Sequence, residues 1–171
     1  MNDEILIQKA KMKNPDAFTD LMKSQMHSMY RTAKAILMND EDVADAVQNT
    51  LLICWEKLGD LKVNRYFKTW MTKILVNNCY AIIRSNRRII YTDNLPERAG
   101  EENISNIEWQ EALSSVDEKY RIALILFYAE GFRTKEIAKI LGITDSAVRT
   151  RLSRGREQLS KYYKGGSVDE Q

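Results

Sequence analysis

The stretch Thr134-Lys-Glu-Ile-Ala-Lys-Ile-Leu-Gly-Ile-Thr-Asp-Ser-Ala-Val-Arg-Thr-Arg-Leu152 decides the fold of half of this chain. Ile137, Leu141, Ile143 and Val148 are spaced to close a small core between two helices. Ala138 lets their backbones approach, Gly142 supplies a sharp turn, and Thr134 and Thr144 stand where helix N-caps are needed. The layout is that of a helix-turn-helix. At about 100° per residue, Val148, Leu152, Gly155 and Leu159 fall in one narrow stripe of the last helix, its buried side. The opposite side carries Ser146, Arg149, Thr150, Ser153, Arg154 and Glu157, with Arg151 and Arg156 on the flanks. A helix so decorated suits a DNA major groove. Arg149, Thr150, Ser153 and Arg154 then meet base edges, and Arg151, Arg156 and Lys161 meet the phosphate walls.

Working outward, charge is segregated along the chain although the formal net charge is only +2. From Leu61 to Thr92 the charged residues are Lys62, Arg65, Lys68, Lys73, Arg84, Arg87 and Arg88, with no acid among them. From Asp93 to Glu108 five acids face one base, Arg98; from Phe132 to Lys164 nine Lys and Arg stand against Glu136, Asp145 and Glu157. Two cationic blocks around an acidic spacer point to two separate contacts with a polyanion.

The 171 residues include only two Pro and seven Gly, with helix formers abundant, which predicts an all-α protein. Apolar residues recur at three- and four-residue steps over 15–38, including Phe18, Leu21, Met29 and Ala33. Asn39 to Asp42 supply turn and cap chemistry before a second amphipathic stretch, Val43, Val47, Leu51, Trp55 and Leu58, stopped by Gly59. A loop from Asp60 to Tyr66 leads into a third helix over 67–88, with Phe67 and Trp70 on its apolar stripe. The aperiodic acidic run around Pro96 and Gly100 marks a flexible linker over 92–106, between small helical domains at 1–91 and 107–164. The tail, 165–171, reads as disordered.

Cys54 and Cys79 sit inside apolar helical patterns, without the spacing that holds zinc, and read as buried reduced thiols; no metal site is expected. His27 is the sole histidine, which leaves little for imidazole-based catalysis. Methionines 12, 22, 26, 29 and 38 read as flexible core filling. The N-terminus is acidic and no apolar run approaches the roughly 20 residues that span a bilayer, so a cytoplasmic protein is expected.

Three further motifs carry a resemblance. Glu118-Lys-Tyr-Arg, Glu130-Gly-Phe-Arg-Thr-Lys-Glu-Ile and Ala147-Val-Arg-Thr-Arg-Leu-Ser-Arg-Gly-Arg resemble the promoter-reading C-terminal domain of extracytoplasmic-function sigma factors of bacterial RNA polymerase. Asp42-Val-Ala-Asp-Ala-Val-Gln-Asn-Thr-Leu-Leu resembles the helix by which these factors dock on core polymerase, implying Asp42, Asp45, Gln48, Asn49 and Leu52 as docking residues. Tyr66-Phe-Lys-Thr-Trp-Met-Thr-Lys-Ile-Leu-Val-Asn-Asn with Arg84-Ser-Asn-Arg-Arg resembles the segment that melts and reads the minus-ten element. For that segment the resemblance implies Asn77 and the loop residues Lys62, Asn64, Arg65 and Tyr66 at an extruded base, and Lys73, Arg84, Arg87 and Arg88 on phosphates.

By the same resemblance the last helix reads the minus-thirty-five element through Arg149, Thr150, Arg151, Ser153, Arg154 and Arg156. It implies a non-enzymatic specificity subunit with core RNA polymerase and promoter DNA as partners. It also implies a cognate anti-sigma factor, often membrane-anchored, a role in an envelope or environmental stress response, and neither cofactor nor small-molecule substrate. Two other readings stay open on the residues alone. A conventional dimeric helix-turn-helix regulator would not need polymerase, and a helical interaction scaffold would have basic faces that are merely solvated.

Overall fold

Three asparagines start the first three helices. In the computed structural model, which describes residues 2–89 and 104–166, Asn2 caps α1 (Asp3–Lys11), Asn14 caps α2 (Pro15–Leu37) and Asn39 caps α3 (Asp40–Lys57). Each side-chain oxygen accepts a first-turn backbone N–H, from Glu4 (3.2 Å), Ala17 (3.0 Å) and Asp42 (3.1 Å) respectively. Pro15 occupies the first turn of α2, where its missing N–H costs nothing. Met38 ends that helix with a left-handed φ of 60°, which turns the chain into α3.

After α3 come two single turns of 3-10 helix, Leu58–Asp60 and Asn64–Tyr66, and then α4 (Phe67–Ile89). The apolar stripes of α2, α3 and α4 meet in one core in which Leu21, Met29, Ala33, Val43, Ala46, Cys54, Met71, Leu75 and Cys79 are buried. Burying each large aliphatic side chain contributes about 1.5–3 kcal/mol. Burial also pushes both thiols up to about 12, and neither forms a disulfide. Two polar bonds tie α3 to α4. Asn78 Nδ2 donates to the buried Thr50 hydroxyl (3.0 Å), and Asn86 Nδ2 donates to Asp42 Oδ2 (3.0 Å). Of the methionines expected in the core, Met22 and Met29 are buried; Met12 is 83% exposed and Met38 is exposed, since both stand at helix ends where no neighbour covers them.

The second compact unit contains α5 (Ile104–Ser114), α6 (Glu118–Leu124), α8 (Asp145–Gly166) and, of α7 (Thr134–Leu141), the residues up to Ala138. A π-helical turn, Ile125–Ala129, continues α6, closed by Glu130 N–H to the Ile125 carbonyl (3.0 Å). Its core gathers Leu113, Ile122, Leu124, Leu126, Ile137, Val148 and Leu152. Every described element is helical, as composition predicts.

Several boundaries differ from the sequence reading. Helix α5 begins at Ile104, inside the expected linker, and α8 runs to Gly166, two residues into the expected tail. Periodicity weakly determines helix ends, where turns extend past the last buried residue. The rest of the expected linker and tail lies outside the described residues. The expected N-cap at Thr134 is displaced by one position. Arg133 is the cap residue, and its N–H is taken by the Glu136 carboxylate (2.8 Å), so no hydroxyl is needed there. Helix α1 is not among the elements expected from the sequence and is described below.

Candidate nucleic-acid interface

Helix α8 is positioned by its N-cap and by a close approach. Thr144 Oγ1 accepts the Ala147 N–H (3.1 Å), and Gly142 makes the preceding turn at a left-handed φ of 66°. Val148, Leu152 and Gly155 are buried, and a Cβ on Gly155 would lie 2.9 Å from Leu124 Cδ1. The helix thus seats directly on α6. Its outward side is a shallow groove lined by Ser146, Arg149, Thr150, Ser153, Arg154 and Glu157, the set expected from the sequence.

Arg149 is held by Asp145 one turn back (2.5 Å) and stays 68% exposed, so the carboxylate steers the guanidinium without hiding it. The Thr150 hydroxyl donates to the Ser146 carbonyl (3.1 Å), which leaves its oxygen as an acceptor. Ser153 and Arg154 are exposed and Arg151 is half-buried on the flank. Arg156, on the other flank, donates to the Tyr128 hydroxyl (2.7 Å), a contact not anticipated from sequence. Tyr128 lies in the π turn and is 56% exposed, so its hydroxyl is open to that contact.

In the first unit the exposed face of α4 carries Lys73, Asn77 and Arg84, separated by four and seven residues and therefore aligned. Arg87 and Arg88 fall in its last turn. Phe67 is buried and Trp70 is half-buried beside it, with ring centroids 6.2 Å apart, so both belong to packing. Ahead of α4, Lys62 and Arg65 are exposed. Tyr66 is 42% exposed with the Arg65 guanidinium 4.9 Å from its ring centroid, and Asn64 is half-buried with its oxygen already engaged.

Helix α3 turns a different chemistry outward. Asp45, Gln48, Asn49 and Leu52 are exposed on one face, Leu52 by 59%, with no cation among them. Asp42 stands apart, half-buried with one carboxylate oxygen bonded to Asn86 of α4. Helices α3 and α4 therefore bury apolar faces against each other and present unlike surfaces to solvent, one neutral to acidic with an exposed leucine, one basic.

Comparison with known families accounts for this arrangement. Residues 21–89 match the family model for sigma-70 region 2, and residues 107–159 match that for sigma-70 region 4. The chain belongs to the sigma-70 family of RNA polymerase sigma factors. Among its relatives are the ECF RNA polymerase sigma factor SigW of Bacillus subtilis, 27% identical over 91% of this chain and 93% of the relative. The RNA polymerase sigma factor CnrH of Cupriavidus metallidurans is 26% identical over 92% of each chain. The solved structure of CnrH in complex with the cytosolic domain of CnrY superposes with a TM-score of 0.73 at 25% identity, covering 95% of this chain and 97% of that one. Such kinship places this sigma factor in the extracytoplasmic-function group.

The region 2 surfaces of this sigma factor include one element that the sequence reading missed. Helix α1 packs Leu6, Ile7 and Ala10 against α2, and it precedes the family match, which starts at Leu21. Its signals were present: the Asn2 cap, acids at Asp3 and Glu4, and apolar residues at a helical step. Lys11, in its last turn, bonds the Leu61 carbonyl and, at 2.6 Å, Asn64 Oδ1. Lys13 bonds the Trp55 carbonyl and lies 4.8 Å from the centroid of that ring.

Proposed function

We propose that this sigma factor engages one promoter at two places while bound to core RNA polymerase, through three surfaces. The α3 face of Asp45, Gln48, Asn49 and Leu52 docks on core enzyme. The α4 face, Lys73, Asn77 and Arg84 with Arg87 and Arg88, and the loop Lys62, Asn64, Arg65 and Tyr66 hold the opened minus-ten strand. Opening a duplex needs cations along the backbone and an ordered place for an unstacked base, and the basic face beside an ordered loop offers both. Helix α8 enters the major groove at minus-thirty-five, with Arg149, Thr150, Ser153 and Arg154 towards bases and Arg151 and Arg156 towards phosphates. Asp42 serves α3 from within, through Asn86.

The observation that carries this reading is the back-to-back packing of α3 and α4, which exposes unlike faces on one rigid pair. A regulator acting on duplex DNA alone needs only the basic ones. The role is binding and positioning rather than catalysis, and it belongs to the cytoplasm, where polymerase works. Among the described residues no helix is long and apolar enough to cross a membrane. Control by an anti-sigma factor, and service in an envelope or environmental stress response, are part of the same proposal; CnrH has been solved with the cytosolic domain of CnrY.

The test reconstitutes the full chain with purified core polymerase on promoter templates selected from transcription starts mapped after overexpression. Stable association and promoter-specific initiation are expected. If the chain shifts promoter DNA alone, while core polymerase neither binds it nor gains initiation from it, the reading fails.

A further inference from the structure

We propose that Lys11, on a helix ahead of the region 2 match, is a positioning residue that sets the minus-ten specificity of this sigma factor by bracing the loop 61–66. The proposal rests on the assignment of that loop to the extruded base.

The loop has little of its own to hold it. Between Leu61 and Phe67 the described backbone bonds are those of one 3-10 turn, Tyr66 N–H to the Val63 carbonyl (3.1 Å) and Phe67 N–H to the Asn64 carbonyl. A single turn of this kind is marginal in isolation, because it fixes several dihedrals for very few bonds. Leu61 is buried where the loop begins, but beyond it Val63 and Tyr66 are 44% and 42% exposed, so the rest of the loop has no apolar burial to anchor it. Lys11 supplies what is lacking. One half-buried ammonium reaches the Leu61 carbonyl, where the loop begins, and Asn64 Oδ1, where the turn begins. The two bonds are charge-assisted and close a short segment from both ends.

The brace is itself anchored. Leu6, Ile7 and Ala10 bury α1 on α2, and the turn after α1 is fastened to the end of α3 through Lys13 on Trp55. The Trp55 ring in turn meets Phe18 of α2 edge-on at 5.0 Å. The ammonium therefore pushes against rigid structure rather than a loose arm. Reading one base requires the loop to sit in one place, and a loop free to shift discriminates less even when every reading side chain is intact.

The experiment uses full-length protein with core polymerase and paired templates differing at a single minus-ten base. Lys11→Met should lower the ratio of initiation rates on the preferred and disfavoured templates by about 3–10-fold, the scale of one charge-assisted hydrogen bond partly exposed to water. Core affinity should stay unchanged. Asn64→Ala should lower the ratio too, and adding it to Lys11→Met should be no worse than Lys11→Met alone, because the Lys11 change already removes the bond they share. Lys11→Arg should restore most of the ratio. In the free full-length protein, Lys11→Met should speed amide hydrogen exchange across 61–67 several-fold while the α2 to α4 core keeps its protection. If Asn64→Ala and Tyr66→Ala both leave the minus-ten preference intact, the loop assignment falls and this proposal with it. If they alter the preference while Lys11→Met leaves it within about twofold, or leaves exchange across 61–67 unchanged, the brace alone is overturned.

Discussion

Replacing Gly155 by Ala tests whether helix α8 is seated by close packing or merely by helix propensity, because the two make opposite predictions. In the middle of α8, Ala is favoured over Gly by about 1 kcal/mol, so an uncrowded site would be stabilised. The added Cβ, however, would lie 2.9, 3.0 and 3.3 Å from Leu124 Cδ1, Cγ and Cδ2. Three atoms of one side chain are met at once, so rotating a single methyl does not relieve the clash. Leu124 is 2% exposed, so it cannot swing out into solvent and must give way within the packed interior. Overpacking of this kind costs about 1–3 kcal/mol, which outweighs the propensity gain and leaves a net loss of about 1 kcal/mol. For a unit of this size that is a fall of about 4–8 °C in its Tm.

Hydrogen exchange of α6 and α8 peptides in the full chain isolates the unit concerned. Leu124→Val, which makes room, should recover part of the loss in the double variant, with a coupling of about 1 kcal/mol between the two sites. An increase in protection in Gly155→Ala, together with additive behaviour of the two changes, would refute the claim that Leu124 seats α8.

Charge reversal at Arg149 or Arg154 should weaken minus-thirty-five duplex binding by about 1–3 kcal/mol each if they read bases, measured by competition against scrambled duplex. Neutralising Arg151 or Arg156 should instead weaken all sequences alike and flatten the salt dependence by about one phosphate contact. Leu52→Glu should cut core polymerase affinity more than about tenfold while changing fold stability by less than about 0.5 kcal/mol, since the side chain is 59% exposed. Thr50→Val leaves Asn78 Nδ2 without its acceptor and should cost about 1–3 kcal/mol by urea unfolding. The thiols of Cys54 and Cys79 are raised by burial from 9.0 to about 12, so the native state retains protons that the unfolded chain releases above pH 9. Their contribution is complete below that pH and should be lost as pH rises towards about 12, measurable as the slope of alkaline unfolding against the double Cys→Ala variant.

What was legible in the sequence follows from how strongly each feature is encoded. The α8 stripe of Val148, Leu152 and Gly155, the turn at Gly142 and the cap at Thr144 are all local and redundant, and the structure bears them out, with Leu159 at the end of the stripe only half-buried. The exposed faces of α3 and α4 follow from the same periodicity. Features that depend on partners distant in sequence were not legible. Nothing local tells that Lys11 reaches Asn64, that Asp42 is bonded to Asn86, or that Arg156 meets Tyr128. The last involves a residue of the π turn, which periodicity does not distinguish from ordinary α-helix.

The two polar ties between α3 and α4 sharpen the functional reading. Asn78, which bonds Thr50, adjoins Asn77 on the proposed minus-ten face; Asn86 is bonded to Asp42, three residues before Asp45 on the proposed docking face. A core built only of Leu, Met and Val would pack these helices well yet tolerate a small slide of one along the other. A hydrogen bond between two specific side chains does not, because a shift of about 1 Å breaks it. The ties are 28 and 44 residues apart in sequence and sit at different heights along the pair, so together they fix register as well as rotation. On the proposed function, in which one base pocket is held at a fixed distance from a seat on a larger enzyme, that fixity matters more than stability. Thr50→Val combined with Asn78→Leu, which removes the tie without orphaning a donor, should therefore preserve the melting temperature and core affinity while blurring minus-ten discrimination.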